Sequence, residues 1–123
     1  MAVKSSALLT YAIENIGLAI GAVSGTTLTT YAAMGVGDNG TAASAGQTTL
    51  LGNAIYASVT ATGTTSLITW NHQFTYSDIH GTLTDDTIRE YCVNRSSTQY
   101  GEDDLLVRTV VDDVKLGEGE SMT

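Results

Sequence analysis

The sequence predicts a mainly β protein, an antiparallel β-sandwich with one N-terminal α-helix. Three observations carry this reading. The chain is 42% hydrophobic and only 15% charged, so its polar share is largely uncharged, with much Thr, and Thr and Val favour strands. Proline is absent, which leaves every turn to Gly, Asn and Asp. Period-two alternation recurs in the second half, and a helical period shows only near the start. At 123 residues the chain is one domain, able to bury roughly two-thirds of its unfolded surface without metals or disulfides. Residues 1–25 are assigned to the amphipathic helix and residues 26–123 to the β-sandwich.

The helix is predicted over residues 5–23. Leu9, Ile13, Ile16, Ile20 and Val23 recur at intervals of four and three and form one apolar stripe. Ser5 or Ser6 can cap its start, and Ser24-Gly25 ends it. The stripe fits a helix docked on a sheet or one packed between subunits; Leu9, Ile13, Ile16 and Ile20 are the expected contact in either case. A strand is expected from Thr26 to Val36, then a turn through Gly35–Gly40, then a small polar excursion across the surface from Thr41 to Gly52. No Lys follows that glycine cluster and no helix opens behind it, so it is not a phosphate loop.

A further strand is read over residues 53–62. Residues 66–78 alternate most clearly: Ile68, Trp70, His72, Phe74 and Tyr76 share one face, and Thr69, Asn71, Gln73 and Thr75 the other. That aromatic face is expected to form the main core, with Ile68, Trp70 and Phe74 as members. Residues 79–86 read as a connecting loop.

The last part, from residue 87 onward, organises the rest. It reads as a strand, a polar loop, a second strand, a Gly-marked turn and the start of another strand. Ile88, Glu90 and Cys92 share a face of the first strand, and Leu106, Arg108 and Val110 share a face of the second. Both faces of the second are largely apolar, which places it inside the structure. Arg108 then needs a partner, and Glu90 is the nearest candidate. Ile88 and Leu106 complete the expected core. Cys92, the single cysteine, reads as a small core residue.

The formal charge is −8 and uneven. Residues 1–77 hold Lys4, Glu14 and Asp38, a net of −1, while residues 78–123 hold eleven acids against four bases, a net of −7. Such a surface repels nucleic acid, and its acids keep a β surface soluble and its edges unpaired. Acids at 38, 85–86, 102–104 and 112–113 lack the alternate spacing of a calcium loop. His72 and His80 stand at no metal-ligand spacing, and no Ser lies in a nucleophile-elbow pattern. The sequence therefore implies no cofactor, no metal and no catalytic set. Asn39-Gly40-Thr41 and Asn94-Arg95-Ser96 match the N-glycosylation pattern. No signal peptide is read, and Glu14 and Asn15 interrupt the one apolar stretch that approaches membrane length, so membrane insertion is not expected.

The order of motifs carries a resemblance. A short apolar helix leads to a strand ending in Met34-Gly35-Val36-Gly37. A Thr/Ala-rich run follows from Thr41 to Leu51, then the Ile-x-Glu unit of Ile88 to Asn94. Leu105-Leu106-Val107-Arg108 and the turn Gly117-x-Gly119-x-Ser121 close the series. This resembles small structural proteins of tailed viruses, of bacteria or archaea, encoded among tail, baseplate and fibre genes. It departs from their pattern where Tyr91 or Cys92 replaces a small residue, and where the Thr/Ala-rich run lacks Pro. The family continues past the Gly-x-Gly-x-Ser turn with a full strand, so either a longer tail or an edge completed by a neighbour is expected. The resemblance implies a non-enzymatic virion protein, whose partners are copies of itself, other virion proteins and a host-surface receptor. Two other readings stay open: a capsid decoration or vertex protein, and a receptor- or carbohydrate-binding β module using Tyr76, Asp78, His80 and Tyr100.

Overall fold

The computed structural model describes residues 2–8, 31–63, 68–95 and 105–123. The protein is mainly β. A five-stranded sheet runs in the order β1 (Val3–Leu8), β8 (Leu105–Lys115), β7 (Thr87–Asn94), β2 (Ala33–Gly37), β3 (Ala54–Ser58), with every neighbouring pair antiparallel. Two short ribbons complete it: β4 (Thr62–Gly63) with β5 (Ile68–Thr69), and β6 (Phe74–Thr75) with β9 (Ser121–Met122). The turn at Gly117–Glu120 thus returns the chain to pair with β6, with the positive φ of Gly119 making the bend.

β7 and β8 form the centre, as their two-sided apolar pattern requires. Two register shifts between them re-aim side chains. Between Val93 and Asn94 the partner steps from Val107 to Leu105, so Leu106 is the extra residue. Leu105 is buried and Leu106, expected in the core, is only half-buried. Between Ile88 and Glu90 a second shift separates two residues expected on one face. Ile88 packs with Val36, Phe74, Ile79, Leu83 and Leu116, and Glu90 goes to the other side with Cys92 and Arg108.

The N-terminal prediction is corrected at residues 5–8. They belong to β1, where Val3 faces Val111 and Leu8 faces Val107. The ladder to β8 satisfies this backbone, and residues 5–8 precede the apolar stripe, which begins at Leu9, so no helical face competes with that pairing. Leu9, Ile13, Ile16 and Ile20 lie outside the described residues. The one α-helix described is α1 (Tyr76–Ile79).

The stretch 66–78 is also not one strand. β5 ends at Thr69, β6 holds two residues, and α1 starts at Tyr76. Asp78 stops the alternation: its carboxylate accepts from the Thr75 backbone N–H and hydroxyl, both at 2.7 Å, the reach-back of a capping box. Phe74 is buried, Trp70 is half-buried, and Ile68 is 60% exposed. Ile68 is therefore no core residue, because its two-residue strand pairs only with β4 and lies outside both apolar clusters.

Candidate functional site

The largest fully buried charged groups are Arg108 and Glu90, both at 0% exposure. Their placement follows from the register. Glu90 stands opposite Val110 and Arg108 opposite Cys92, so the two are diagonal neighbours on one face. Gly37 lies opposite Glu90 on the other side. A Cβ at Gly37 would come within 2.5 Å of Glu90 Oε1, so glycine here leaves the carboxylate its space.

Arg108 Nε donates to Glu90 Oε2 at 2.6 Å. Each partner then reaches segment 38–53, which crosses this face. Arg108 Nη1 donates to the Thr41 carbonyl at 2.9 Å and to Gln47 Oε1 at 3.0 Å, and Nη2 donates to the Asn39 carbonyl at 3.3 Å. Glu90 Oε1 accepts from the Asn39 and Gly52 amides, and Oε2 from the Leu51 amide. A segment without strand or helix has its backbone groups satisfied by two side chains from the sheet. Leu50 packs beside them against Cys92 and Leu105. Ala43 N–H donates to Ser5 Oγ, which fastens the same segment to β1.

Sequence reasoning named Glu90 and Arg108, and the structure brings them together. It gave Gln47, Asn39 and Thr41 no part in this pairing, yet their groups complete the arrangement. The small polar composition of residues 41–52 was the only signal. Cys92 lies in this layer, where burial pushes its thiol far above the usual range, leaving it a protonated packing group.

Asp38 ties this cover to the opposite face. Its carboxylate accepts from the Asn53 amide and side chain, and from the Thr84 amide, each at 2.9 Å. Desolvation pushes its pKa up, but the bonds from Thr84 and Asn53 outweigh that and hold the carboxyl below its ordinary value. The Asp78 carboxyl is likewise held low, first by the Thr75 backbone bond.

Two concavities lie on the other side of the sheet. An open cleft of about 420 Å³ is lined by Gln73, Thr75, Tyr76, Glu118, Glu120 and Ser121, among others. Tyr76 stacks on His80 at 4.6 Å, and His80 Nδ1 meets Asp86 at 3.0 Å. Desolvation, then the charges of Asp86 and Glu118, raise the Tyr76 hydroxyl above its usual value. An apolar cavity of about 230 Å³ lies between Met34, Trp70, Phe74, Tyr91 and Met122. His72 meets Phe74 edge-on at 4.6 Å there, and the Trp70 indole N–H donates to the Tyr31 carbonyl at 3.0 Å.

Tyr100, a sugar-binding candidate, lies outside the described residues. Among those described, no three His, Cys, Asp or Glu side chains cluster as metal ligands, and no helix is long and apolar enough to cross a membrane. Asn94 is buried at 1% exposure, which leaves a glycan no room, while Asn39 is half-buried with its side-chain oxygen bonded to the Thr41 amide. No family model, curated protein or solved structure matches this chain.

Proposed function

We propose that the chain is a non-enzymatic structural protein of a tailed-virus particle, a self-assembling component of its tail, baseplate or fibre attachment. The observation that carries this reading is the use made of Glu90 and Arg108. These are the most buried charged groups described, and their bonds go to one another and to segment 38–53, so they serve architecture. The motif order given above supplies the particle type. A sandwich belongs to the same proposal, with the β6–β9 ribbon and its neighbours as the second layer. β1 ends the main sheet on one side among the described residues, and an edge strand is a template for a neighbouring copy. The partners are then copies of this chain, other virion proteins and a host-surface receptor, and the location is the virion. Electron microscopy of the purified protein, with solution mass at rising concentration, tests this. Symmetric oligomers are expected; a monomer at every concentration overturns it.

The cleft beside Tyr76 supports a second reading, a carbohydrate-binding module. A half-buried aromatic ring flanked by Glu118 and Glu120 suits a sugar face and its hydroxyls. Micromolar binding on a glycan array, lost in Tyr76→Ala, would favour it.

A further inference from the structure

Asn39-Gly40 is the one Asn-Gly pair in the sequence. Glycine puts no Cβ beside its amide nitrogen, so that nitrogen can reach the preceding side chain. In this reaction Gly40 N loses its proton and attacks Asn39 Cγ. The N–Cγ bond forms, the Cγ–Nδ2 bond breaks, and Nδ2 leaves as ammonia with a proton. Water then opens the cyclic imide at either carbonyl, giving aspartate or isoaspartate. No oxidant or reductant is involved.

We propose that Asn39-Gly40 is a latent self-modification site that the Glu90–Arg108 pair keeps closed. The attacking nitrogen shares a rigid peptide plane with the Asn39 carbonyl. That carbonyl accepts from Arg108 Nη2, and the Asn39 amide donates to Glu90 Oε1, both at 3.3 Å. The Asn39 side-chain oxygen accepts from the Thr41 amide at 2.8 Å. Swinging Gly40 N onto Cγ turns the peptide plane and pulls the carbonyl from Arg108. A buried guanidinium N–H then loses its acceptor, which costs more than an ordinary bond returns. Gly40 itself is exposed, so water and base reach it freely, and the restraint lies in the clamp.

The clamp and the modification are mutually exclusive. Isoaspartate lengthens the backbone by one methylene, so the amide and carbonyl of residue 39 no longer reach Glu90 and Arg108 together. Either product also adds a carboxylate beside Glu90. A modified chain therefore has segment 38–53 loosened from the sheet.

Ageing at mildly alkaline pH, followed by mass spectrometry of the peptide containing Asn39, tests this. The native protein is expected to convert at least about tenfold more slowly than the same chain unfolded in urea. Gly40→Ala in urea identifies the reaction by suppressing it. Folded Glu90→Gln is expected to convert severalfold faster than native wild type. If that variant does not fold, Gln47→Ala, which removes one acceptor from Arg108, takes its place. Equal rates for native and unfolded wild type overturn the proposal, as do equal rates for native wild type and the folded variant.

Discussion

One sheet is covered in two different ways. On one face, segment 38–53 is held by hydrogen bonds converging on Glu90 and Arg108. On the other, Phe74, Ile79, Leu83 and Leu116 pack on Val36 and Ile88. Apolar packing is non-directional and divides among many contacts, so a change there costs in proportion to what is removed. The ionic cover is directional. Removing one partner leaves the other charge buried and several backbone groups unpaired. A segment with no regular structure can thus be held as firmly as a helix, but by two residues.

Breaking the ionic side should have the largest effect. Arg108→Ala is expected to cost about 3–5 kcal/mol in chemical denaturation. Replacing both partners, as Glu90→Gln with Arg108→Met, is expected to cost much less than the sum of the single changes. On the apolar side, Ile79→Ala should cost about 3 kcal/mol, with no coupling to Arg108→Ala, because it belongs to the other layer. Gly37→Ala should cost about 1–3 kcal/mol by pushing Glu90 off Arg108. Gly37 and Glu90 should therefore couple strongly in a double-mutant cycle. Smallest of all, Ile68→Thr should stay within about 0.5 kcal/mol, since an exposed residue leaves no cavity.

Asp38 joins the two covers, and its sign is clear. Its folded carboxyl lies below the unfolded value of 3.8, so its contribution is present above that pH. The contribution is lost as pH falls through the lower, folded value. Asp78 acts in the same direction at α1. The acid limb of a stability curve should flatten in Asp38→Asn.

The central strands were legible in the sequence because β7 and β8 are long and two-sided, and a charge inside such a strand calls for a partner. That logic reached Glu90 and Arg108. It did not reach the carbonyls of Asn39 and Thr41, because backbone acceptors leave no trace in residue identity. Side-chain faces beyond a register shift were also illegible: Ile88 and Leu106 both moved when β8 supplied extra residues. Residues 66–78 alternate well, yet the Thr75–Asp78 reach-back turns the chain into α1. The Thr-x-x-Asp spacing is the sequence signal of that turn, and the alternation alone does not carry it. At residues 5–8 the helix was carried back to a Ser cap ahead of its stripe, where a neighbouring strand decides the backbone.

Amide hydrogen exchange in Glu90→Gln tests most directly whether this one pair fastens segment 38–53. The account predicts lost protection at Asn39, Leu51 and Gly52, whose amides donate to Glu90, with β6, α1 and β9 still protected. Unchanged protection at those three amides, or an equal loss over both covers, would contradict it.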